Sequence, residues 1–236
     1  MEPRRFAILM PWGRVGSNLV MNIVAQSGPA KLANETFNTI KGEAEQLAWY
    51  REHYEFGAEA PSKPVIGCKQ NVLSITDPAG FAERLLADGV RVVRMRRDNL
   101  VKVAVSQMRA EVYAERTKEQ TGKPRWAVRK GEQPLEPIVI DPEILQRRLS
   151  IASKAQDRLM GMFSPGDVLD IEYADIRTDL DGLVGRLRRW IGLPTDQPFK
   201  VAFEKATSDN LKDAVLNFRQ VKRRLKGTPY ESQVIV

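Results

Sequence analysis

The stretch Arg5-Phe6-Ala7-Ile8-Leu9-Met10-Pro11-Trp12-Gly13-Arg14-Val15-Gly16-Ser17-Asn18-Leu19 decides how the rest of the chain is read. Phe6–Met10 is an apolar run of strand length. A turn punctuated by Gly13 and Gly16 follows, and Ser17 opens a helical pattern with Leu19, Ile23 and Val24 on one stripe. Strand, tight turn and helix start together aim backbone N–H groups and the positive end of a helix dipole at one point, which suits an anion. Arg14 and Ser17 lie inside the turn, but the G-x-x-x-x-G-K-[ST] signature of nucleotide triphosphatases is absent. The turn is therefore expected to hold a phosphate-like group without the lysine of those enzymes.

Further short, nearly continuous apolar runs stand at Val65–Lys69, Val90–Met95 and Val168–Ile171. Runs of this kind suit parallel strands buried on both faces. Between them lie helical patterns at Ser17–Gln26, Glu43–Phe56, Asp77–Ala87, Asn99–Arg116, Ile144–Phe163 and Leu180–Ile191, with Asp77 placed as an N-cap and Pro78 at the first helical position. Alternating strands and helices predict an α/β fold, a central parallel sheet with helices on both faces. Ligands of such sheets sit beyond the carboxyl ends of the strands. Here those ends carry Arg14 and Ser17, Lys69 and Gln70, and Arg96 and Arg97. We expect a single domain over residues 1–236, with the Gly-, Pro- and charge-rich segment 117–142 as either a lid or an ordinary surface insertion.

Composition narrows the functional classes. Of 236 residues, 42% are apolar and 28% charged, and 37 Lys and Arg against 30 Asp and Glu give +7, which favours an anionic partner. A single cysteine, Cys68, excludes an internal disulfide. No apolar run has the roughly 18 residues of a membrane span, and the N-terminal run is too short for a secretory leader, so a cytoplasmic setting is expected. No spaced Cys/His set suggests a metal. The aromatic residues are not interleaved with the basic ones and no RNA-binding module is recognisable, so nucleic acid is not an expected partner.

A second anion-binding element stands at Arg96-Arg97-Asp98-Asn99-Leu100, where a strand ends in arginines and a helix opens, with Ser106 nine residues after Arg97. An arginine fork presents paired donors to an oxyanion. Arg14-Val15-Gly16-Ser17, then Arg97 with Ser106, then Tyr173-Ala174-Asp175-Ile176 leading to Trp190-Ile191-Gly192-Leu193, resembles the sulfotransferase family that uses 3′-phosphoadenosine-5′-phosphosulfate (PAPS). The resemblance runs from about Arg5 to Leu193, and Arg97-Asp98-Asn99-Leu100 is similar to the bacterial carbohydrate branch. It implies a P-loop-like sulfotransferase architecture and transfer of a sulfuryl group to a hydroxyl of a carbohydrate, lipid or small natural product. It further implies that Arg14, Val15, Gly16, Ser17 and Asn18 hold the 5′-phosphosulfate, that Arg97 and Ser106 hold the 3′-phosphate, and that Tyr173 takes part in nucleotide binding. Asn18 and Leu19 depart from the family's pattern, which has a hydroxyl and often an adenine-stacking aromatic residue there.

In-line transfer needs a stabilised leaving oxygen, a role for Arg14, and a base for the acceptor's proton. Two residues compete as base: Glu35, whose context resembles the acidic base of the carbohydrate branch, and His53, the only histidine, read as a surface or partly packed helix residue. Lys69 is either a strand-end group near the sulfate or a surface lysine, and Cys68 a small packed residue. Lys222-Arg223-Arg224 closes a C-terminal helical segment, as a favourable dipole partner or as part of the nucleotide site. Two other classes share parts of this pattern: a small-molecule or nucleoside kinase, and a non-catalytic basic protein that binds nucleotide or RNA.

Overall fold

Phe6, Ile8 and Met10 point to one side of their strand and Ala7 and Leu9 to the other, and all five are fully buried. This strand, β1 (Arg4–Met10), forms the middle of a five-stranded sheet in the computed structural model, which describes residues 3–55, 64–126, 128, 132, 135–164, 166–201 and 210–234. With β2 (Ala30–Asn34), β3 (Val65–Asn71), β4 (Arg91–Arg96) and β5 (Val168–Glu172) it gives the order β2-β3-β1-β4-β5, parallel throughout. The expected α/β class with a parallel central sheet is the observed one. The order changes direction at β1, which has β3 on one side and β4 on the other. Crevices at the carboxyl ends of the strands open at such a switch point.

The described residues divide into two compact units, residues 1–97 with 155–200 and residues 98–154 with 201–236. The first holds the sheet. On one face Phe6, Ile8 and Met10 pack with Val20, Ile23 and Val24 of α1 (Ser17–Ala25) and with Leu183, Leu187 and Ile191 of α7 (Leu180–Ile191). On the other, Ala7 and Leu9 meet Tyr50 of α2 (Glu43–Tyr50), Leu85 of α3 (Pro78–Ala87) and Leu159 near the end of α5 (Pro142–Gly161). Asp77 caps α3 through Gly80 N–H with Pro78 at its first position, as its sequence predicts. A short helix, α6 (Tyr173–Thr178), leaves β5 directly.

Two local features differ from the sequence expectation. Strand β2, Ala-Lys-Leu-Ala-Asn, is only half-buried at the sheet edge and has none of the β-branched residues that mark a strand. The pattern Glu43–Phe56 is not one α-helix: α2 ends at Tyr50 and a π-helical turn, Arg51–Glu55, follows. That turn rotates His53 and Tyr54 inward, and both are buried.

The second unit holds α4 (Leu100–Thr121), the start of α5 and α8 (Phe218–Leu225). The first residues of segment 117–142 continue α4, and Ile138 forms a parallel bridge to Val215. The side chain of Asn217 brackets Ile140, accepting from its N–H (2.9 Å) and donating to its carbonyl (2.7 Å). Among the described residues no helix is long and apolar enough to cross a membrane.

Candidate active site

The turn after β1 reverses direction through two left-handed residues, Arg14 (φ 70°) and Gly16 (φ 87°). A Cβ at Gly16 would displace the tip of the Ile176 side chain, and its left-handed backbone favours glycine where the turn sits against α6. Val15 anchors the turn by burying its side chain in the core. No side chain caps α1, whose N-terminus follows Gly16. The Ser17 hydroxyl donates inward to Met10 Sδ (3.2 Å), a weak acceptor that a stronger oxyanion would outcompete.

Arg97, just past β4, reaches this turn. Its guanidinium carbon lies 4.1 Å from the centre of the Tyr173 ring, and its Nη1 donates to the Arg14 carbonyl (3.4 Å). The ring holds the planar cation by a cation–π contact. Arg14, Gly16, Arg97 and Tyr173, distant in sequence, thus meet in the first unit.

A second polar group adjoins the start of α1. Glu35 follows β2 with φ 49°, and it and Arg14 are the only non-glycine residues with positive φ among those described. Its Oε1 pairs with Lys69 Nζ at 2.9 Å and its Oε2 accepts from Asn38 Nδ2 at 3.1 Å, while the Ser74 hydroxyl donates to Asn38 Oδ1 (2.6 Å). Lys69 is 4% exposed, not a surface lysine, and also donates to Asn18 Oδ1 (2.5 Å). Register explains this placement. Lys69 stands level with Ile8 of β1 and Asn34 of β2, and strand alternation puts it on the same face as Val65, where α1 packs. Asn18, which departs from the family's pattern, is therefore the partner of a buried cation. Leu19 packs against the core.

His53 lies elsewhere. Its Nε2–H donates to the carbonyl of Gly67 inside β3 (3.0 Å), and its ring stacks on Trp49 with centroids 4.7 Å apart. Burial pushes its pKa down to about 4 against the opposing effect of that hydrogen bond. It is a core histidine, more buried than its sequence suggests, and it is not part of the Glu35 group. Cys68 is buried with the Tyr54 hydroxyl 3.2 Å from its sulfur, and burial raises its pKa to about 12, so it packs as an inert thiol. Arg94 is committed to a two-pronged pair with Asp170 (2.6 and 2.8 Å) and to the Met160 carbonyl. Arg96 pairs with Glu172 at 3.5 Å. Ser106 is buried on α4 in the second unit. Thr207-Ser208-Asp209, ahead of the C-terminal basic segment, lie outside the described residues. No group of three or more potential metal ligands occurs among the described residues.

No family model matches the chain, and no curated protein matches it. Solved structures do. A sulfotransferase from Alicyclobacillus acidocaldarius is 13% identical, with 99% of this chain and 96% of that one aligned and a TM-score of 0.48. The sulfotransferase domain from the curacin biosynthetic pathway gives 13% identity, 99% and 96% coverage and a TM-score of 0.45. The mouse sulfotransferase SULT7A1, complexed with PAP, gives 11%, 92% of each chain and 0.33.

Proposed function

We propose that this protein is a PAPS-dependent sulfotransferase acting on an acceptor hydroxyl of a carbohydrate, lipid or small natural product. One observation carries the reading. The non-glycine residues held in the left-handed region among those described are Arg14 and Glu35, the two whose sequence contexts suggest catalysis. Such a backbone costs about 1–2 kcal/mol per residue and persists where the surroundings over-determine it, typically at functional sites.

The donor set suits this donor. Arg14, the turn's N–H groups and the uncapped N-terminus of α1 answer the 5′-phosphosulfate, and Arg97, fixed on Tyr173, answers the 3′-phosphate. The acceptor oxygen attacks sulfur in line, and its proton passes to Glu35. The bond from sulfur to the 5′-phosphate oxygen breaks, and Arg14 and the turn meet the charge left on that oxygen. Lys69 and Asn38 orient Glu35, which as a carboxylate keeps lone pairs for the proton. The lone thiol, Cys68, is compatible with a reducing cytoplasm.

Calorimetry with 3′-phosphoadenosine-5′-phosphate, ATP and a short RNA tests the reading. The bisphosphate should bind tightest, and Arg97→Ala should weaken it roughly tenfold or more, the scale of a lost charge-assisted contact. Glu35→Ala should keep that affinity while lowering turnover on a responsive acceptor about a hundredfold or more. Preference for ATP would favour a kinase, preference for RNA a non-catalytic binder, and either sinks the sulfotransferase reading.

A further inference from the structure

Helix α8 and the residue after it carry Arg219, Lys222, Arg223, Arg224 and Lys226, all exposed, on a segment with no acidic residue from Ala214 to Tyr230. Phe218, Val221 and Leu225 turn inward and are buried. None of the five cations makes an ion pair or a side-chain hydrogen bond among the described residues, unlike Arg94 and Arg96 of β4, which pair with Asp170 and Glu172. A favourable helix dipole explains cations in the last turn, worth some 0.3–1 kcal/mol each, but not Arg219 in the first.

Two of these cations line a concavity. Arg223 and Arg224, with Asn217 and Gln220 of the same segment, face Asp141 and Glu143 at the start of α5 across an open groove of about 780 Å³. That volume is within the usual range for small-ligand sites. Asp141 is already engaged, accepting from the N–H groups of Glu143 (2.8 Å) and Ile144 (3.3 Å). Among the described residues the Glu143 side chain makes no hydrogen bond or ion pair, so it does not reach the arginines of the groove.

We infer that this groove binds an acidic oligosaccharide, its anionic group on Arg223 and Arg224 and its ring hydroxyls on Glu143 and Gln220. The chemistry of the lining selects this class. Guanidinium forks take carboxylate or sulfate, the Glu143 carboxylate accepts from hydroxyl groups, and Gln220, whose Oε1 accepts from Asn217 Nδ2 (2.9 Å), keeps its amide N–H groups to donate to them. Among the described residues the groove's lining holds no aromatic side chain on which successive bases could stack, which disfavours nucleic acid. The apolar face of α8 is spent inside the protein, so this helix has nothing to insert into a bilayer. The remaining cations, Arg219, Lys222 and Lys226, extend the positive field along a chain longer than the groove. The site belongs to the second unit alone and stands whether or not the chain transfers sulfate.

Titration calorimetry at 150 mM salt tests it, with no donor present. A galacturonate tetramer should bind and maltotetraose, of similar size but neutral, should not. The double variant Arg223→Gln/Arg224→Gln should lose at least tenfold in affinity with its melting temperature unchanged, since both side chains are exposed. Glu143→Leu separates a groove from a bare charged patch. Removing a negative charge tightens binding to a patch, whereas the groove loses its hydroxyl acceptor, which leucine cannot replace, and weakens by threefold or more. Tighter binding by Glu143→Leu, no loss in the double variant, or preference for RNA or phosphatidylserine vesicles over the tetramer would overturn the assignment.

Discussion

Arg14 shows how a single backbone angle separates stability from function. At φ 70° its side chain is carried at a steric cost, which replacement by glycine removes. The relief of about 1–2 kcal/mol is offset by the roughly 0.5–1 kcal/mol that glycine loses in conformational entropy. Arg14→Gly should therefore leave the melting temperature nearly unchanged and reduce turnover sharply; a large fall in melting temperature would show that the residue is there for packing. His53 makes the opposite case, a titratable group serving structure. Its folded pKa, about 4, lies below the ordinary 6.5, so the unfolded chain binds more protons between those values. Its contribution to stability is complete above pH 6.5 and is lost as pH falls toward 4. Melting curves across that window should slope less steeply for His53→Gln than for the parent; equal slopes would place the acid sensitivity elsewhere.

At the scale of elements, the turn between β1 and α1 and the end of β2 set the geometry of the site. Gly16→Ala adds a methyl group where the Ile176 side chain already lies, in a conformation alanine resists. It should destabilise by more than the roughly 1 kcal/mol of the angle alone, read by urea denaturation, and loosen nucleotide binding as α6 shifts. Much of this was legible in the chain itself. The apolar runs of β1, β3, β4 and β5 announce buried strands, and the Asp77-Pro78 start of α3 announces its cap. Strand β2 was not legible, because an edge strand half-buried needs little hydrophobicity and Ala-Lys-Leu-Ala-Asn supplies little. The π turn was not legible either, since helical periodicity runs straight through it. Lys69 was half legible. Its parity with Val65 on an alternating strand indicates the α1 face, but the partners that make a buried lysine tolerable, Glu35 and Asn18, come from segments 34 and 51 residues away.

On the scale of the molecule, the sheet-bearing unit is discontinuous in sequence: the chain leaves it after Arg97 and returns at Ala155. Strand β5 can join β4 only after that excursion has been made, and contacts so far apart in sequence form late. Pulse-labelled hydrogen exchange during refolding should show Leu169 and Ile171 protected after Ile8 and Cys68; simultaneous protection would contradict this order. The pair of buried Arg94 with exposed Asp170 then acquires a kinetic side. The partners of Arg94 lie 66 and 76 residues further along the chain. Until they are synthesised, a bare guanidinium sits beside Val93 and Met95 in a strand whose edge has nothing to pair with. A charge there discourages a second nascent chain from adding a strand. The residue that finally locks the edge of the sheet first serves as its gatekeeper on the ribosome.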